Sequence, residues 1–226
     1  MIGDPPRLRI RRRFARPDRR VLEAFGSRST SFVVDAMFGT GALSPAIKPL
    51  DPGMRAMGAA LTAGAGPRDN LAALAALDHL EAGDVLVIST QAFEGTATLG
   101  DNMARIAQLK GAAAIVTDGM VRDAAEILAL GLPVFCRGVT PNSAFPSGPG
   151  TVGLPLVVGD VRIDAGDLVL GDADGVVVVP RTEIERVAMR LEEVAVQEAA
   201  LQGRLERGEA VSLVPPSARD QTEYVD

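Results

Sequence analysis

The sequence predicts an α/β fold in one domain: a parallel β-α half, then an antiparallel β half, then a long C-terminal helix. Three observations carry this. Between Val85 and Cys136, apolar runs of strand length alternate with helically spaced segments. Between Leu156 and Val179, short apolar runs are separated by tight-turn residues. From Thr182 to Gly208 the chain is charged and long enough for an extended helix.

The elements follow in order. Residues 1–20 read as a basic N-terminal arm carrying Pro5, Pro6 and Pro17, residues 21–210 as the domain, and 211–226 as a frayed tail. Arg19 to Phe25 and Ser31 to Met37 are expected to be short helices, followed by a turn-rich loop from Gly39 to Gly53. Met57 to Ala63 reads as a strand and Asn70 to Leu80 as an Ala/Leu helix. The strand Val85–Ser89, the helix Asp101–Lys110, the strand Ala112–Thr117, the helix Asp123–Leu130 and the strand Pro133–Cys136 form a β-α-β-α-β series. Such a series implies parallel strands and right-handed crossovers. Gly138 to Gly153 reads as a long loop. Leu156–Val158, Val161–Ile163, Leu168–Leu170 and Val176–Val179 follow as strands, with Asp172-Ala173-Asp174-Gly175 as a hairpin turn.

The 226 residues are 47% hydrophobic, enough for a sizeable core, and only 4% aromatic, so Ala, Val, Leu and Gly must fill it. A net charge of -6 makes the bulk surface a poor nucleic-acid partner. The run from Arg7 to Arg13 is the exception and reads first as a solvated arm, with an anionic partner or a neighbouring subunit as the alternatives. No apolar stretch is long enough to span a membrane, and the basic start lacks a secretory apolar region, so a cytoplasmic location is expected. One Cys (Cys136) and one His (His79) form neither an intrachain disulfide nor a Cys/His zinc site.

Chemistry is expected at the C-terminal edge of the parallel strands, where ligands bind in open α/β sheets. Asp101 and the pair Arg122-Asp123 both follow strands and lead into helices, whose free N–H groups favour anions. Arg122 can grip a small carboxylate with two parallel hydrogen bonds, and the two aspartates offer hard oxygens to Mg²⁺ or Mn²⁺. The plainer reading is that Asp101 and Asp123 only cap helices, as most such aspartates do, with Glu126 completing a capping arrangement. Cys136 reads as core and His79 as surface, without a nucleophile elbow. Lys48 and Lys110 sit outside apolar strands that would lower an amine pKa, which disfavours Schiff-base chemistry and points carbonyl chemistry towards a metal ion.

These residues together carry a resemblance. Gly100-Asp101-Asn102-Met103, the spacing of twenty residues from Asp101 to Arg122-Asp123, Gly131-Leu132-Pro133-Val134-Phe135, Gly166-Asp167, and the run Asp172 to Pro180 resemble the RraA-like/4-hydroxy-4-methyl-2-oxoglutarate aldolase family over roughly residues 25–210. The Arg-rich start is not part of the likeness.

The resemblance implies a swivelling β/β/α-type core, and homotrimers or homohexamers with sites between subunits. It implies a divalent-metal aldolase that splits 4-hydroxy-2-oxo acids, such as 4-hydroxy-4-methyl-2-oxoglutarate or 4-carboxy-4-hydroxy-2-oxoadipate, into pyruvate and a second 2-oxo acid. Oxaloacetate decarboxylase activity is usual. Carried over, Asp123 would hold Mg²⁺ or Mn²⁺, Arg122 the pyruvyl carboxylate, and Asp101 a proton-shuttling water. The segment Gly100, Asn102 and Met103 would contact substrate, and Glu198 would reach a neighbouring site. The alternative is a non-catalytic regulator of an RNA-degrading enzyme on the same fold. A quinone methyltransferase is disfavoured, because no glycine-rich nucleoside loop follows a first strand.

Overall fold

The computed structural model describes residues 6–26, 28–219, 221–223 and 225. Four parallel strands form its centre, in the order Ala56–Gly64, Asp84–Ser89, Ala114–Thr117 and Val134–Cys136. Their apolar runs are continuous because both faces are covered. Leu86, Ile88, Ile115 and Val134 point to one side, into a core with Ala72, Ala76, Ala104, Ala107 and Ile127 of the helices Leu71–Leu77, Asp101–Leu109 and Ala124–Leu130. Val85, Val87, Ala114 and Val116 point to the other, against Leu43, Ile47, Val158, Ile163 and Val178. The small side chains on the helix face let helix and sheet approach closely, as a composition poor in aromatics requires.

The second half is antiparallel, as its turns predict. Leu168–Asp172 pairs with Gly175–Val179 across the two-residue loop Ala173-Asp174, and also with the first half of the Ala56–Gly64 strand. Asp172, buried in this hairpin, accepts from the amide and hydroxyl of Thr30 and from the Asp174 amide. The carboxylate therefore ties the helix Thr30–Ala36 to the turn. The helix Ile184–Glu206 lies over the hairpin, burying Ile184, Val187 and Leu191 against Leu168, Val177 and Val179.

Two sequence expectations change. The basic start is not a free arm: Leu8–Ile10 pairs in parallel with Gly150–Val152, at the edge of the main sheet. Arg16 closes the attachment with a two-pronged contact to the buried Asp84, at 2.7 and 2.8 Å. That hydrogen-bonded carboxylate outweighs burial and raises the Arg16 pKa. Pairing thus turns a run of like charges into docked chain, although Arg9, Arg11, Arg12 and Arg13 stay exposed. Pro5 lies outside the described residues. The segment 138–153 is likewise not all loop, since Gly138–Val139 and Gly150–Val152 are both paired. In the tail, Pro216–Arg219 forms one helical turn.

Candidate active site

Beyond the C-terminal edge of the central strands the chain builds a second, smaller parallel sheet from Ala97–Leu99, Met120–Val121 and Gly138–Val139. Each of its strands continues one strand of the main sheet after a short break. Asp118 fixes the first two breaks: its buried carboxylate accepts from the Thr90 amide at 2.6 Å, the Ala92 amide at 3.1 Å, and the Ser89 and Thr90 hydroxyls. The ends of two central strands are thereby clamped together before the chain reaches the small sheet.

Leu99 and Val121 are partners in that sheet, so the residues that follow them meet. The Arg122 amide donates to the Leu99 carbonyl at 3.0 Å. Asp101 opens the helix Asp101–Leu109, and Gly100, not Asp101, is its N-cap. Asp123 is the N-cap of Ala124–Leu130 but makes no side-chain capping bond, and its backbone is left-handed at φ 57°. The capping reading therefore fails for both aspartates. A non-glycine residue held in this conformation is uncommon, though Asp tolerates it better than most. Here it turns the carboxylate back towards the neighbouring helix. Asp123 Oδ2 accepts from the Asp101 amide at 3.3 Å and lies 3.3 Å from Arg122 Nε. Gly100 permits this approach, because a Cβ there would run into Asp123 Oδ2.

Between these groups is a pocket of about 90 Å³, lined by Asn70, Thr98, Gly100, Asp101, Asn102, Met103, Arg122 and Ser143 among others. At the start of the nine-residue helix the Asn102 and Met103 amides, its second and third, have no carbonyl one turn earlier to bond within the helix. Arg122 Nη1 donates to Ser143 Oγ, which fixes the guanidinium at the pocket wall. Ser143 is placed by the pairing of residues 142–144 with Ala97, through the Ala97 amide to the Asn142 carbonyl at 2.8 Å and the Ala144 amide to the Ala97 carbonyl at 3.2 Å.

Two buried side-chain atoms among the described residues lack a hydrogen-bond partner, Asn70 Oδ1 and Thr98 Oγ1, and both residues line this pocket. Leaving such atoms unsatisfied costs about 1–3 kcal/mol each. Both atoms are thereby left for a polar group within the pocket to satisfy. Sequence reasoning missed Asn70, Thr98 and Ser143. The signal for them is three-dimensional, since each arrives on a different element.

The structure thus brings Gly100, Asp101, Asn102, Met103 and Arg122 together around one cavity, with Asp123 directly behind Gly100 and Arg122. It does not bring Glu198 there within this chain. Glu198 borders a groove on the C-terminal helix with Asp35, Phe38 and Arg190. Cys136 is buried in the core, which raises its thiol pKa and suits an inert residue. Lys48 donates to the Asp174 carbonyl, outside the pocket lining.

A divalent ion has a restricted but adequate set of donors here. No three His, Cys, Asp or Glu side chains gather into a metal cage among the described residues. Mg²⁺ does not need one: it is commonly held by one or two carboxylates and completes its shell with water and ligand oxygens. The Asp123 side chain is 36% exposed, which leaves a carboxylate oxygen accessible for that role.

A larger cleft of about 900 Å³ is lined by Arg9, Arg68, Gln91, Phe145 and Val157 among others. None of the residues singled out from the sequence as catalytic lines it.

Comparison with known proteins agrees with this architecture. Residues 30–178 match the RraA-like family (Aldolase/RraA). A protein of Halalkalibacterium halodurans named "Putative 4-hydroxy-4-methyl-2-oxoglutarate aldolase" is 38% identical over 161 residues, 71% of this chain and 77% of that protein. The structure of Streptomyces coelicolor RraAS2, described as an unusual member of the RNase ES inhibitor RraA protein family, is similar with a TM-score of 0.77. It is 31% identical, and the match covers 84% of this chain and 99% of that one. An uncharacterized protein from Pseudomonas syringae pv. tomato str. DC3000 also reaches a TM-score of 0.77 at 27% identity, over 87% of this chain and 97% of that one. On the family match, the sequence identity and the shared architecture, the chain belongs to the RraA-like (Aldolase/RraA) family.

Proposed function

We propose that this protein is a divalent-metal-dependent aldolase of 4-hydroxy-2-oxo acids that releases pyruvate and a second 2-oxo acid, and that it also decarboxylates oxaloacetate. One observation carries the reading: Asp101 and Arg122, twenty-one positions apart in sequence, line one small pocket at a helix start, and the Asp123 carboxylate contacts both the Asp101 amide and Arg122 from behind it. The resemblance of the chain to proteins named as 4-hydroxy-4-methyl-2-oxoglutarate aldolases supports the same activity.

Each residue then has a task. Arg122 binds the 2-oxo acid carboxylate and stabilises the negative charge that grows on the oxo oxygen as the C–C bond breaks. The Asn102 and Met103 amides add donors to the same anionic fragment. Asp101, half-buried in the pocket lining, orients a water that carries the proton. Asp123 anchors Mg²⁺ or Mn²⁺, which would supply Lewis-acid polarisation of the oxo group. Retro-aldol cleavage and loss of CO₂ place the same charge on the same oxygen, so one site serves both. Glu198 is assigned to a neighbouring subunit's site in a homotrimer or homohexamer.

The test is pyruvate release from oxaloacetate and from 4-hydroxy-4-methyl-2-oxoglutarate, with Mg²⁺ and with a chelator. Turnover that needs the metal supports the reading, and no turnover of either substrate with Mg²⁺ or Mn²⁺ overturns it. A second reading, regulation of an RNA-degrading enzyme, is favoured by the likeness to Streptomyces coelicolor RraAS2. Recovery of a ribonuclease by the protein, undiminished in Asp123→Ala, would support that reading instead.

A further inference from the structure

Thr98 sits in the middle of the short strand Ala97–Leu99. Alternation along the strand sends its side chain to the face opposite Leu99, which belongs to the core. Thr98 is 1% exposed, yet its hydroxyl meets no partner, and it lines the pocket. Asn70 stands at the N-cap of Leu71–Leu77 without capping it, and its Oδ1 is likewise buried and unpartnered beside the same pocket. An N-cap asparagine that does not cap leaves its side chain available for another role.

The chemistry of the two atoms differs. The Thr98 hydroxyl can donate to any substrate oxygen. Asn70 Oδ1 only accepts, so a ligand that satisfies it must bring a donor. Resting on the aldolase reading above, the substrate offers few donors: at neutral pH its carboxylates and ketone only accept, and its 4-hydroxyl donates. Oxaloacetate in its keto form has no such hydroxyl. We propose that Asn70 and Thr98 are specificity-determining residues, with Asn70 Oδ1 accepting from the 4-hydroxyl of a 4-hydroxy-2-oxo acid and the Thr98 hydroxyl donating to an oxygen of the 2-oxo acid portion. The site then favours hydroxylated substrates over oxaloacetate, because binding oxaloacetate leaves Asn70 Oδ1 unpaired.

The experiment compares kcat/KM for 4-hydroxy-4-methyl-2-oxoglutarate and for oxaloacetate in the Mg²⁺-loaded wild type, Asn70→Leu and Thr98→Val. Asn70→Leu should lower the ratio of the two values (hydroxy acid over oxaloacetate) by at least about tenfold, the hydroxy acid losing the larger share. Thr98→Val should raise KM for both substrates and leave their ratio within about twofold. A ratio unchanged in Asn70→Leu overturns the proposal while the aldolase reading stands. Asn70→Ala, which asks the same question, replaces it if the leucine variant does not fold. A wild type that turns over neither substrate overturns both.

Discussion

The Asp101 amide nitrogen lies 3.3 Å from Asp123 Oδ2, so a carboxylate from one strand end reaches the helix start of another across twenty-two residues of chain. The same oxygen lies 3.3 Å from Arg122 Nε. One acidic group therefore organises both the helix start and the guanidinium, and most of the predictions turn on that arrangement.

Gly100→Ala should displace Asp123 without unfolding the chain. The added methyl competes with Asp123 Oδ2 for space, whereas the Gly100 backbone, at φ −133°, accepts alanine. Misplacement of this kind costs about 100-fold in turnover. Steady-state kinetics beside a thermal melt test it: a full loss of folded protein, or no loss of activity, contradicts the geometry.

Arg122→Lys keeps the charge and loses the planar fork. The ammonium cannot keep the Ser143 and Asp123 contacts while holding a carboxylate in two places. A fall in kcat/KM of about 100- to 1,000-fold is expected. An unchanged value removes Arg122 from substrate binding.

Asp123→Asn should abolish metal-dependent turnover while the midpoint of thermal unfolding stays within a few degrees. The side chain makes no capping bond to its own helix, an asparagine Oδ1 can still accept from the Asp101 amide, and asparagine takes the left-handed backbone at φ 57° at least as well. If the variant unfolds, Asp123 serves chiefly the fold.

Asp118→Ala should destabilise the protein by roughly 2 kcal/mol, since it strands the buried Thr90 amide and hydroxyl and removes the bond to the Ala92 amide at the surface. Chemical denaturation measures the loss. Stability within about 0.5 kcal/mol of wild type would show that the clamp is dispensable.

Acid stability has a sign that the structure sets. Burial pushes the Asp172 carboxyl up, but the Thr30 amide and hydroxyl, the Asp174 amide and Arg55 bring it below its ordinary value. A depressed native pKa adds stability that is present above the unfolded value, about 3.9, and fades as pH falls below it. Asp167 runs the other way: burial outweighs the Arg181 and Asp164 amides and raises it. Its contribution is present at low pH and fades as pH rises through the native value. The stability difference between wild type and Asp172→Asn should therefore shrink as pH drops from 6 to about 3. A gap that widens on acidification contradicts the assignment.

The sequence made the central strands legible because Val85–Ser89 and Ala112–Thr117 are apolar throughout, as strands buried on both faces must be. It also placed Asp101 and Arg122-Asp123 at one sheet edge, since parallel order dictates which ends share a side. The small second sheet was not legible. Met120–Val121 and Gly138–Val139 are two residues each, too short for any periodicity to register. The docked start was hidden for another reason: charge dominates Arg7 to Arg13, while the pairing of Leu8–Ile10 is made by backbone and depends on a partner some 140 residues away, at Gly150–Val152. That Asp123 stands at the N-cap position without making a capping bond was not legible, because its left-handed backbone leaves no trace in composition.

The most direct measurement is a crystal structure with Mg²⁺ and pyruvate bound. The account predicts the ion beside Asp123 and the pyruvate carboxylate against Arg122, within reach of the Asn102 and Met103 amides. Pyruvate lodged instead in the larger cleft by Arg9 and Arg68, with Arg122 still bonded only to Ser143 and Asp123, would contradict it.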